Sequence, residues 1–90
     1  MAQLFSLGIA RHTQFMTPYK NISGNSGVTH YQSGDGFIRV RFKNGGTYRY
    51  MASVEGADII TTMTDLAVAG RGLSTYIAKH RKQLDPEKED

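Results

Sequence analysis

Phe37-Ile38-Arg39-Val40-Arg41-Phe42-Lys43-Asn44-Gly45-Gly46-Thr47-Tyr48-Arg49-Tyr50-Met51 decides the fold. Ile38, Val40 and Phe42 alternate with the cations Arg39, Arg41 and Lys43, the period-two pattern of a strand with one dry and one wet face. Beyond Asn44-Gly45-Gly46 the alternation resumes, with Tyr48 and Tyr50 set against Thr47 and Arg49. Asn-Gly between two such runs predicts a hairpin. A two-residue loop at Asn44-Gly45 sets Phe42 opposite Thr47 and Arg41 opposite Tyr48, which mixes apolar and basic positions. A three-residue loop over Asn44-Gly45-Gly46 sets Phe42 opposite Tyr48, Val40 opposite Tyr50, Arg41 opposite Arg49 and Lys43 opposite Thr47. This second pairing keeps each face uniform, so it is the expected register.

Upstream, Val28 to Gln32 reads as another strand, joined through the turn residues Ser33-Gly34-Asp35-Gly36. Downstream, Ser53 is expected to cap a helix with Glu55 in its first turn. Ile59, Ile60, Met63, Leu66 and Ala67 then form one apolar stripe, and Gly70 stands just past the helix end. A second helix is expected from Leu73 to Lys82, with Leu73, Tyr76, Ile77 and His80 on one face. The expected fold is α+β: a three-stranded antiparallel β-meander followed by two α-helices packed on one sheet face. Its expected core is Ile38, Val40, Phe42, Tyr48, Tyr50, Ile60, Met63, Leu66, Leu73 and Ile77. Residues 1–22 read as an N-terminal arm, 23–84 as the domain, and 85–90 as an acidic disordered tail behind Pro86.

Ninety residues suffice for one domain with one thin core. The chain has no cysteine, so a disulfide framework and a thiolate metal site are excluded. Together with the absence of a basic leader and of any long apolar run, this leads to the expectation of a cytoplasmic protein with no membrane association. The net charge of +3 is unevenly spread. Arg39, Arg41, Lys43 and Arg49 dominate the strands, Glu55, Asp58 and Asp65 the first helix, and Arg71, Lys79, Arg81 and Lys82 the second. Two basic segments around an acidic one imply a polarised surface.

Residues that carry catalysis are not apparent. His12, His30 and His80 lie far apart without ligand spacing, so no metal and no cofactor are expected. The serines form no nucleophile elbow, and Asp58 and Asp65 stand two helical turns apart. The expectation is therefore no enzyme. Gly70-Arg71-Gly72 ahead of a helix admits a phosphate contact through Arg71, but reads more simply as a tight interhelical turn. Tyr48 and Tyr50 admit base stacking, although the hairpin register turns them toward the core with Val40 and Phe42. Arg39, Arg41, Lys43 and Arg49 share the other sheet face, where Arg41 opposite Arg49 is repulsive. A bound phosphate, or a carboxylate from another chain, would relieve it. Against this stands the plain alternative of a solvated sheet face.

Gly27-Val28-Thr29-His30-Tyr31, Ile38 to Gly46, Tyr48-Arg49-Tyr50, Ala69-Gly70-Arg71-Gly72-Leu73 and Tyr76-Ile77 together resemble the KTSC domain. That family is named for a C-terminal extension of some lysyl-tRNA synthetases, and also occurs as stand-alone short bacterial and phage proteins. Its mark is a Y-x-Y motif after a strand and glycine turn, matched here by Tyr48 and Tyr50. The resemblance covers about residues 23–82, and residues 1–22 have no counterpart in it. Ala52-Ser53-Val54 stand where the family often carries a proline. RNA binding is proposed for the family, and the resemblance implies the same here. The expected function is thus a non-catalytic binding domain for RNA or another phosphate-bearing ligand, through Arg39, Arg41, Lys43, Arg49 and Arg71. Two alternatives stand beside it. One is a protein–protein or homo-oligomerisation module acting through the apolar residues of 1–20. The other is a phage or mobile-element accessory protein that binds a nucleotide-like ligand.

Overall fold

The computed structural model describes residues 16–89. Strands β1 (Thr17–Pro18), β2 (Val28–Gly34), β3 (Phe37–Phe42) and β4 (Gly46–Met51) are followed by helices α1 (Ala52–Glu55), α2 (Ala57–Ala69) and α3 (Leu73–Lys79). A last strand, β5 (Glu87–Lys88), completes the chain. The class is α+β, with an antiparallel sheet whose strands lie in the order β1-β2-β3-β4-β5. Five strands replace the three expected. The two extra ones are two-residue edges, too short to show a period in sequence. The segment read as a disordered tail thus contains β5, and the segment read as the arm contains β1. Residues 1–15 of that arm lie outside the described residues.

The β3–β4 hairpin keeps its faces uniform but pairs two residues away from the expected register. Phe42 faces Gly46, Val40 faces Tyr48, Arg39 faces Arg49 and Ile38 faces Tyr50. Lys43-Asn44-Gly45 forms the loop, and Gly46 enters β4 with φ +82°. A shift of two leaves every side chain on its original face, so face parity cannot tell the two pairings apart. The cross-strand arginine pair is consequently Arg39–Arg49, and Arg41 faces Thr47.

On β2, a bulge interrupts the pairing with β3 between Val28 and His30. Val28 faces Phe42 and Tyr31 faces Val40. An odd spacing of three would normally put Val28 and Tyr31 on opposite faces. The extra residue, Thr29, turns both toward the helices, and its hydroxyl donates to the Arg41 carbonyl at 3.3 Å.

The core lies between this sheet face and the helices: Tyr19, Val28, Ile38, Val40, Tyr50, Ile60, Met63, Ala67 and Leu73 are buried. Phe42, Tyr48, Leu66 and Ile77, also expected in the core, are only partly buried and pack against its margin. The first helix is split. Ser53 sits inside α1 rather than capping it. Met51 occupies the cap without a side-chain bond, and Gly56 at φ 102° separates α1 from α2. The last helix ends at Lys79 rather than Lys82. As expected, Gly70 closes α2 in the left-handed conformation, donating to the Leu66 and Ala67 carbonyls. Its carbonyl accepts from the Ile22 amide at 2.9 Å, and Tyr19 is tied to the α3 start, where the Leu73 amide donates to its hydroxyl at 3.3 Å. The N-terminal segment thus seals the turn between α2 and α3.

Two stability expectations follow. Replacing Ile38, which has no exposed surface, with alanine should cost about 2–5 kcal/mol in denaturant unfolding. The half-buried Phe42 should cost less on truncation than the ~3–5 kcal/mol of a fully buried phenylalanine. A loss below ~1 kcal/mol at Ile38, or of ~5 kcal/mol at Phe42, would contradict this packing. Gly70→Ala should lose at least ~1–2 kcal/mol from the left-handed backbone alone, because its new Cβ would also stand 2.5 Å from Lys20 Cβ.

Candidate functional site

Two places on the domain gather chemistry: the outer sheet face and a groove on the helix side. Across the outer face run Gln32, Arg39, Arg49 and Glu87 in one cross-strand row, and His30, Arg41 and Thr47 in the next. Arg39 sits at the centre. Its Nε and Nη2 donate to the two carboxylate oxygens of Glu89 at 2.9 and 2.6 Å, and its Nη1 donates to Gln32 Oε1 at 2.6 Å. The pair is well shielded, with side-chain exposures of 14% and 22%. The hydrogen bond to Glu89 pushes the Arg39 pKa up, against the opposing effect of burial. Arg49 donates from Nη2 to Glu87, an exposed ion pair. The Arg49 Nε is buried and finds no acceptor among the described residues.

The expected basic face is therefore divided. Two of its cations, Arg39 and Arg49, are paired with the carboxylates of Glu89 and Glu87. Arg41 and Lys43 are exposed, and neither makes an ion pair among the described residues. Arg71 does not join them. It stands exposed in the turn between α2 and α3, where one amide of the α3 first turn, that of Leu73, is already taken by Tyr19. Gly70-Arg71-Gly72 forms the turn between α2 and α3.

The groove lies where α3 meets the loop end of the β3–β4 hairpin. It encloses about 470 Å³, and its lining includes Phe42, Tyr48, Tyr50, Ile77, Arg81 and Leu84. Phe42 and Tyr48 meet edge to face, with centroids 5.8 Å apart, which fixes the Tyr48 ring as one wall. Arg81 brings a guanidinium to this aromatic lining and has no ion pair among the described residues. Tyr50 forms the deepest part, only 3% exposed. The Y-x-Y motif is thereby split between two roles: Tyr50 belongs to the core, and Tyr48 is a half-buried wall.

Sequence reasoning missed Glu87, Glu89 and Gln32 on the sheet face, and Ser74, Ile77, Ala78 and Arg81 as groove lining. The last four repeat at helical spacing, a signal that was present in the chain. The two glutamates were hidden in a segment whose composition resembles a solvated tail. Among the described residues His30 and His80 do not converge with other ligands, and no group of three or more metal-binding side chains occurs. His30 contacts the Thr29 hydroxyl, and His80 the Tyr76 carbonyl and ring. His12 lies outside the described residues. No helix among the described residues is long and apolar enough to cross a membrane. No protein-family model, curated protein or solved structure matches the chain.

Burial pushes the Tyr50 hydroxyl up to about 12, with smaller contributions from Tyr48 and Glu55. The unfolded chain releases this proton near pH ~10, so the folded state holds it longer. Stability should be constant in this respect below pH ~10 and fall as pH rises toward about 12. A phenolate absorbance titration should show a step at pH about 12 that Tyr50→Phe removes. An unchanged titration curve in Tyr50→Phe at pH about 12 would place Tyr50 in solvent and contradict the core.

Proposed function

We propose that the chain is a non-catalytic binding domain, a stand-alone relative of the KTSC domain, and that its ligand is RNA or another single-stranded nucleic acid. The observation that supports this reading is the groove. A fixed aromatic wall, Tyr48, shares it with Arg81, a cation without a carboxylate partner among the described residues. An aromatic ring gives a base a stacking surface of any sequence, and a guanidinium grips a phosphate through two parallel hydrogen bonds. Lys82, next in sequence to Arg81, is also exposed. Arg39 and Arg49, first candidates by sequence, contribute less to this reading because each already holds a carboxylate.

Fluorescence anisotropy with labelled random-sequence RNA, titrated at several salt concentrations, tests it. Tyr48→Leu should weaken binding by about 1–3 kcal/mol, the worth of one stacked base. Arg81→Gln should lower affinity for all sequences alike and flatten the salt slope by about 0.7, the value for one phosphate contact on a single strand. Arg39→Gln with Arg49→Gln should change binding less than Arg81→Gln alone. Wild-type protein that fails to bind RNA or single-stranded DNA at low salt removes the nucleic-acid reading altogether.

A further inference from the structure

The acidic C-terminal strand occupies a surface that a separate peptide of the same chemistry can occupy. The structure assigns the β4 edge, together with Arg39 and Arg49, as a docking site for an extended acidic peptide with Glu-x-Glu spacing, filled in cis by Glu87-Lys88-Glu89. Three observations lead there. First, the contacts are those of a peptide added to a sheet edge. Glu87 faces Arg49, Lys88 faces Tyr48, and the Glu89 amide donates to the Thr47 carbonyl at 2.9 Å. Main-chain pairing of this kind gives affinity, and alternate side chains give selectivity. Second, the selectivity is built on the sheet. Residues two apart on an incoming strand point to one face, and that face presents two arginines in one cross-strand pair, Arg39 opposite Arg49. A single acidic residue leaves one guanidinium facing the other, whereas the Glu-x-Glu spacing answers both.

Third, the cis segment is an incomplete ligand. Arg39 is gripped on Nε and Nη2 by both oxygens of Glu89. Arg49 receives Glu87 on Nη2 only, and its buried Nε has no acceptor among the described residues. A carboxylate seated as Glu89 is seated on Arg39 would fill both positions. The cis strand is also short. Its ladder is two residues long, and one of its two ion pairs is exposed to solvent, where such pairs contribute little. It holds its place chiefly because it is tethered, which gives it a high effective concentration. Upstream, the Asp85 amide donates to Glu55 at 2.8 Å, a contact that anchors the tether at α1 and can persist while 87–89 leave the edge.

The test uses the full chain and a fluorescein-labelled peptide of residues 84–90. Glu87→Gln with Glu89→Gln keeps the strand but removes the competing carboxylates. Labelled peptide should bind this variant at least ten-fold more tightly than wild type. Adding Arg39→Gln and Arg49→Gln should abolish that gain, as should replacing both glutamates of the peptide by glutamine. Equal binding to wild type and to the double variant, or retention of binding after loss of both arginines, would overturn the assignment. Amide hydrogen exchange on the unmodified protein gives a second decision that needs no variant. The Glu89 amide should exchange at least a hundred-fold faster than that of Val40, by local release of β5. Exchange at the Val40 rate means that the strand leaves only on global unfolding, which also overturns it.

Discussion

Ile38 and Val40 are wholly buried, and their cross-strand partners Tyr50 and Tyr48 lie on the same side of the sheet. Keeping this four-residue patch dry is the constraint on which the rest of the domain depends. A sheet of short strands cannot bury its own face, so the patch requires a helical layer. Ile60, Met63, Ala67 and Leu73 supply it. The bulge at Thr29 serves the same end by turning Val28 and Tyr31 inward together. Tyr19 closes the remaining side, with its ring buried and its hydroxyl taken up by the Leu73 amide. A buried hydroxyl left without a partner would weaken the same patch it covers.

The alternation that buries this patch forces a second feature on the opposite face. Because Ile38 and Tyr50 point inward, Arg39 and Arg49 must emerge side by side. Two guanidinium groups in one cross-strand pair repel, and the repulsion is strongest where water is partly excluded. Glu89 and Glu87 answer it from the C-terminal strand. β5 is thus less a structural strand than a carrier of two carboxylates, and its brief ladder fits that role.

Much of this was legible in the chain, and the failures have definite causes. The alternating residues from Ile38 to Tyr50 revealed both faces, because a strand repeats every two residues whatever its partners. The same periodicity concealed the register, since pairings that differ by two residues satisfy it equally. What separates them is the backbone of Gly46, which enters β4 at φ +82° opposite Phe42. The helix stripe from Ile60 to Ala67 was correct, yet it carried no sign that Gly56 breaks the preceding turn. A cross-strand arginine pair was legible, but the expected partners were Arg41 and Arg49, whereas Arg39 faces Arg49 and Arg41 faces Thr47. The acidic segment near the pair reads from composition as a solvated tail. Composition describes a segment in isolation, whereas Glu87 and Glu89 pair with arginines 38 and 50 residues upstream, respectively. Of the candidate site, Tyr48 was legible and the groove was not, because its other wall depends on where α3 crosses the hairpin.

The strand β5 ties the two surfaces together through its own alternation. Glu87 and Glu89 are directed to the arginine face, so Lys88, paired with Tyr48, must lie on the helix side. One three-residue segment therefore subtracts positive charge from one side of the sheet and adds it to the other. The outer face is left with Arg41 as its exposed strand cation. On the helix side, Lys88 stands opposite Tyr48, one of the groove-lining residues that include Arg81. On the first side Arg39 and Arg49 are already paired with carboxylates, whereas Arg81, beside Tyr48 on the second, has no ion pair among the described residues. Under the proposed nucleic-acid reading, that partition favours the groove over the outer face as the phosphate site. It also makes the two surfaces interdependent, since Leu84 and Pro86, which lead into β5, belong to the groove lining.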